Sequence, residues 1–261
     1  MDRRHALMTF AAAGAGVLAG GAPEVARAVR PGEAPKRAAN RPKRKAPPPN
    51  PSYAHGKPVQ AIRRPVHTLH DLTPAAPANA VALTIDDGPH PTYTPMLLDL
   101  LARYKVPATF SVIGLQVTEW PKLVQRIVAE GHQISGHTVT HPLNLPRLPA
   151  ARIEGEIGGG HDRIAQTTGV APKYFRAPGG AWSPQILDTA AAHSMICIDW
   201  QVDTRDWTRP GAQTIARRLL GAQPGDILLC HDGGGNRVQT IEALRTVIPA
   251  LQQRGLAFVA L

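Results

Sequence analysis

From residue 80 onward the chain changes rhythm again and again, between short apolar runs and longer stretches with apolar residues at helical spacing. The short runs are "VALTI", "ATFSVI", "HQISG", "YFRA", "MICIDWQV", "DILLC" and "AFVAL". Their length, their β-branched and aromatic content and their Gly, Pro or charged borders predict strands. Between them, "TPMLLDLLARY" has Pro95 in a first-turn position and leucines on one face. "WPKLVQRIVAEG" has Pro121 near its start and Gly131 at its end, and "SPQILDTAAAH" opens on Ser and Pro. These are helix boundaries by capping chemistry. "AQTIARRLLG" and "RVQTIEALRTVIPALQQRG" complete the helices, whereas "PAARIEGEIGGGHDRIAQTTG" is the weakest of them because Gly158 to Gly160 work against a helix there.

Strand and helix thus alternate about seven times, which predicts a parallel sheet covered by helices. Polar residues at the ends of these runs separate an open sheet from a closed one. Asp86 and Asp87 follow the first run, His137 and His141 the third, Arg176 the fourth, Asp203 and Asp206 the fifth, and His231 the sixth. An open sheet would spread five such strand ends along an edge, whereas a (β/α) barrel gathers them on one rim. The expected fold is α/β, a distorted (β/α) barrel of about seven parallel strands.

Residues before 80 read differently. Residues 1–28 carry Arg3-Arg4, an Ala/Gly/Leu run too short to span a bilayer, and the A-x-A pattern at Ala26 to Ala28. That order is the order of an export signal, here of twin-arginine type. Residues 29–79 have few apolar clusters and many prolines, and predict a disordered basic linker. Lys and Arg exceed Asp and Glu by eight in this stretch and by one in each flanking segment. The basic charge is therefore a property of the linker. Behind an export signal it points to anionic cell-wall polymers, or to a self-repelling spacer, rather than to specific nucleic-acid recognition. No transmembrane anchor is expected after processing. Cys197 and Cys230 sit inside apolar runs and read as buried free thiols.

The candidate chemistry lies in "TIDDGP" and "HTVTH". Two adjacent carboxylates repel one another, and a cation bound by one of them lets both stay charged. His137 and His141, four residues apart, have the spacing that brings two imidazoles to one side of a helical turn. With Asp87 they make an N/O ligand set suited to zinc, with cobalt or nickel as alternatives. A divalent ion lowers the pKa of water from about 16 to about 7, so that Asp86 would suffice as a base. His231 is the candidate proton donor on the same rim.

With "RAPGG" (176–180), "DTRDW" (203–207) and "LCH" (229–231), these segments resemble, in order, the five motifs of the polysaccharide deacetylase family, also called the NodB-homology domain or carbohydrate esterase family four. The resemblance covers 80–261. It implies a catalytic domain that removes acetyl groups from polysaccharides, usually from N-acetylglucosamine, with one divalent metal ion. Carried over, Asp86 is the base, and Asp87, His137 and His141 hold the metal. Arg176 orients Asp86, His231 is the acid and Asp206 tunes it. A backbone N–H at Gly179 would face the oxyanion, and Trp207 and Leu229 would wall the acetyl methyl group. The chain departs from the pattern at Ile85, where the family commonly has Phe, and at Gly179, where it usually has Tyr. The implied protein is a secreted or cell-wall-associated N-deacetylase acting on peptidoglycan or chitin-type oligosaccharides. The alternatives are an O-acetyl esterase on xylan and an inactive cell-wall binding protein.

Overall fold

The computed structural model describes residues 64–72 and 76–261. Strand β1 (Ala80–Gly88) is buried on both faces. Ala80 and Ala82 meet an inner cluster with Tyr174, Ile198 and Ile227, whereas Val81, Leu83 and Ile85 meet a larger cluster beneath the helices. Burial on both sides is why this strand reads as a continuous apolar run and not as an alternation.

The remaining elements are α1 (Tyr93–Tyr104), β2 (Thr109–Val112), α2 (Gly114–Glu119), α3 (Pro121–Ala129), β3 (Gln133–Gly136), α4 (Ala150–Thr168) and β4 (Tyr174–Phe175). They continue with α5 (Pro184–Ala192), β5 (Ile196–Cys197), β6 (Val202–Asp203), α6 (Ala212–Leu220), β7 (Ile227–His231), α7 (Val238–Gln253) and β8 (Ala257–Val259). Seven strands follow the order β5-β4-β3-β2-β1-β7-β6, and β8 pairs with the first half of β1. The ladders are all parallel. The capping residues act as expected: Pro121 and Pro184 open α3 and α5, and the Ser183 hydroxyl accepts the Ile186 N–H at 3.3 Å.

β5 and β6 end the strand path on opposite sides, although only residues 198–201 separate them in the chain. The sheet is therefore curled, and its two edges face each other across a gap. Residues 66–68 fill it. Val66 bridges Ile198 and Thr68 bridges Asp226, and the Leu69 N–H donates to the Gly225 carbonyl at 2.7 Å. The distorted barrel is the fold expected from the sequence, with three corrections.

"MICIDWQV" is not one strand but two, because Ile198 to Gln201 leave one edge and cross to the other. The glycines of "IGGGHD" do not break α4, because there the helix packs closely on the loop after β3: a Cβ at Gly160 would lie 3.1 Å from the Thr138 carbonyl oxygen, tighter than an ordinary contact. Finally, residues before 80 pack on the barrel. Val66, Leu69 and Leu72 are buried in the inner cluster, so the part of the predicted linker from 64 to 72 packs on the sheet. The export signal and linker residues 29–63 and 73–75 lie outside the described residues.

Candidate active site

Asp86 stands opposite His231 of β7 and Ser111 of β2. The register then slips between Asp86 and Gly88, with Asp87 at φ 74°. Such a bulge re-aims a side chain. Without it Asp87 would follow Ile85 toward the helices; with it, both acids reach the rim. The close packing needs glycine on either side. A Cβ on Gly88 would collide with the Asp232 carboxylate, and one on Gly233 would collide with the Asp87 carbonyl. "HDGGGNR" therefore wedges beneath Asp87, which accounts for the first of its glycines without any bound anion.

Asp86 is gripped from the inside of the barrel. Arg176, fully buried, donates from Nη1 to Asp86 Oδ1 and to Thr84 Oγ1, each at 2.8 Å, and from Nη2 to the Asp199 carbonyl at 2.7 Å. The indole of Trp200 lies beneath the guanidinium, 5.7 Å from centroid to Cζ. The motifs do not single out Thr84, although its position two residues before Asp86 on one strand face is a signal for it.

His137 and His141 do not lie on a helical turn, contrary to the reading of their spacing. They flank a loop after β3, with Thr138 at φ 64° and His141 at φ 60°. The loop nevertheless brings them together, with ring centroids 4.9 Å apart. Asp87 Oδ1 lies 3.4 Å from His137 Nε2 and 3.2 Å from His141 Nε2. One ligand atom from each of the three residues falls within 4.8 Å of the others, and among the described residues no other such group occurs.

The proton positions suit a cation there. His137 Nδ1 is 2.7 Å from the Arg176 carbonyl oxygen, which can only accept, so the proton is on Nδ1 and Nε2 offers a lone pair toward Asp87. Asp87 Oδ1 is buried without a hydrogen-bond partner. A buried carboxylate oxygen facing an imidazole lone pair fits a metal ion, and the backbone-anchored second nitrogen is the usual outer-sphere support.

Across the rim, Asp206 Oδ1 accepts from His231 Nδ1 at 2.6 Å, and Asp206 Oδ2 accepts from the His231 N–H at 2.9 Å and the Thr240 hydroxyl at 2.7 Å. Burial pulls His231 down, but Asp206 more than offsets it, so the imidazole holds its proton to a higher pH than a free histidine. Asp206 is correspondingly lowered against its own burial. Thr240 had no sequence signal, being a helix residue that only the fold brings in. Trp207 is 57% exposed, Leu229 is buried, and Gly179 is exposed at φ 62°. Trp182 packs edge-on against Phe175 and donates to Asp199 Oδ2 at 2.8 Å, a structural placement. Cys197 and Cys230 are buried and free.

The profile of the polysaccharide deacetylase family matches residues 73–197. A chitooligosaccharide deacetylase of Bradyrhizobium sp. (strain ANU 289) is 43% identical over 189 residues, covering 67% of this chain and 86% of that one. The chain belongs to the polysaccharide deacetylase family. Within the family it is also similar to a peptidoglycan-N-acetylglucosamine deacetylase of Bacillus cereus, 40% identical over 182 residues, covering 69% of this chain and 84% of the other. The crystal structure of the peptidoglycan N-acetylglucosamine deacetylase Bc1960 superposes with a TM-score of 0.68 at 37% identity, over 71% of this chain and 88% of that one. The relatives thus share about two thirds of the length of this polysaccharide deacetylase homologue.

Proposed function

We propose that this chain is an exported, metal-dependent deacetylase that hydrolyses the N-acetyl groups of N-acetylglucosamine polymers of chitin or peptidoglycan type. The observation that carries this reading is the convergence of His137, His141 and the unpartnered Asp87 Oδ1 beside Asp86. The named activities of the similar proteins support the substrate class. A divalent ion held there, zinc by the donor set, supplies the Lewis acidity that makes water nucleophilic near neutral pH.

The chain's own residues do the rest. Arg176 occupies Asp86 Oδ1 and leaves Oδ2 toward His137, at 3.9 Å, where it takes the proton of the attacking water. The amide carbon gains the water oxygen and loses the amine. His231, with Nδ1 committed to Asp206, delivers a proton from Nε2 to the departing nitrogen. The Gly179 N–H faces the developing oxyanion, and Trp207 and Leu229 bound the methyl group. Residues 1–28 serve as export signal and 29–63 as a basic spacer at the cell wall. Among the described residues no helix is long and apolar enough to cross a membrane.

The test is to incubate the zinc-loaded protein with chitooligosaccharides, peptidoglycan and acetylated xylan while following acetate and free amine. Acetate and amine should appear together, and Asp86→Asn should lower the rate ~10²–10⁴-fold. Acetate from xylan alone would make it an esterase. No release from any polymer, or full activity in Asp86→Asn, would overturn the mechanism.

A further inference from the structure

The loop that carries both imidazoles has no regular structure of its own, and two of its residues are strained. Thr138 and His141 sit in the left-handed region without being glycine, at about 1–3 kcal/mol each, and such residues persist only where the surroundings over-determine them. Part of the support comes from α2, whose Gly114 and Leu115 N–H groups donate to the Thr138 and Val139 carbonyls at 2.9 and 3.1 Å. Within the loop the His141 N–H donates to Thr138 Oγ1 at 3.0 Å, and His137 Nδ1 is tied to the Arg176 carbonyl; further support is a single side chain on α4. Glu156 is buried; its Oε2 accepts the N–H groups of Val139 at 2.9 Å and Thr140 at 2.8 Å, and its Oε1 accepts the Thr140 hydroxyl at 2.6 Å.

Three donors from one loop thus end on one carboxylate. A buried carboxylate is costly unless hydrogen-bonded, and here the loop supplies those bonds. Glu156 lies one turn before Gly160, whose missing side chain lets α4 approach the Thr138 carbonyl. The carboxylate and the glycine together form a seat for the loop.

We propose that Glu156 is a positioning residue for the metal grip: by fixing Val139 and Thr140 it sets the separation of His137 and His141, and so the affinity of the site for a divalent ion. This rests on the reading of Asp87, His137 and His141 as metal ligands. The geometry makes a specific demand. An oxygen at the Oε2 position must accept two N–H groups, whereas the Oε1 position has only to meet a hydroxyl, which can itself turn to accept. Glutamine meets that demand. Aspartate keeps the charge but withdraws the carboxylate by one methylene.

The experiment is zinc affinity of the full-length protein, by competition with a chromogenic chelator, for wild type, Glu156→Gln, Glu156→Asp and Glu156→Ala, with thermal midpoints of the metal-free proteins. Glu156→Gln should stay near wild type and Glu156→Ala should bind zinc ~10–100-fold more weakly, as for other outer-sphere supports. Glu156→Asp should fall between them, an order set by reach and not by charge. If Glu156→Ala does not fold, the Gln and Asp variants alone decide. Lowered midpoints with unchanged zinc affinity would make Glu156 a mere helix stabiliser and overturn the inference. A wild type that takes up no zinc would remove the site itself, a different and distinguishable failure.

Discussion

Asp86 and Asp87 are neighbours in the chain but answer to different partners, since one follows the pleat of β1 into the barrel and the other is turned by the bulge from the helix side onto the rim. One meets a guanidinium and the other two imidazoles. That division could be expected from the sequence, because two adjacent anions at a strand end need separate compensation. The His231–Asp206 pair is a second case and yields a pH prediction. Asp206 holds the His231 pKa up in spite of burial, so the acid form survives to higher pH than a free imidazole would allow. Replacing Asp206 by Asn removes the opposing charge and leaves the burial, which lowers the pKa. The alkaline limb of the kcat–pH profile should move toward lower pH, with a rate loss of ~10²–10⁴-fold near neutrality. An unmoved limb would mean that another group sets it.

Helix α4 looks unfavourable by propensity and is nonetheless 19 residues long. Its glycines separate into two kinds, which substitution can distinguish. Gly155 is exposed, with nothing within 4 Å of an added Cβ, so Gly155→Ala should raise stability by about 0.5–1 kcal/mol in urea unfolding and leave zinc affinity alone. Gly160→Ala has the same intrinsic gain, but its Cβ would press on the Thr138 backbone. It should lower both the unfolding midpoint and the zinc affinity. Equal behaviour of the two variants would show that the close approach of α4 to the loop has no consequence. Strand pattern fails in a similar way at "MICIDWQV", where a run of strand-like residues is divided between two edges.

The strap from 64 to 72 is what the curled sheet needs at its open seam. A parallel barrel with a gap exposes unpaired edges and the inner apolar cluster. Val66 and Thr68 pair with those edges and Leu69 fills the cluster. Leu69→Ala should therefore cost about 2–5 kcal/mol in urea unfolding, as for other fully buried leucines. Its effect on KM should be negligible, because the inner cluster surrounds the first half of β1 and the site lies at its other end. A cost near zero would mean that the strap detaches freely from the barrel.

Taken alone, the sequence determined the number and order of most elements, the fold class and the residues of the rim, because these follow from local composition: apolar period, caps, and charged side chains at strand ends. It did not carry the break between β5 and β6, the strap at the seam, the loop geometry of His137 and His141, or the parts of Thr240 and Glu156. Each of those depends on a partner far away in the chain, whether a carbonyl across the barrel, an edge left unpaired or three donors converging on one carboxylate. Such contacts leave no period in the sequence, and the backbone had to close before they existed.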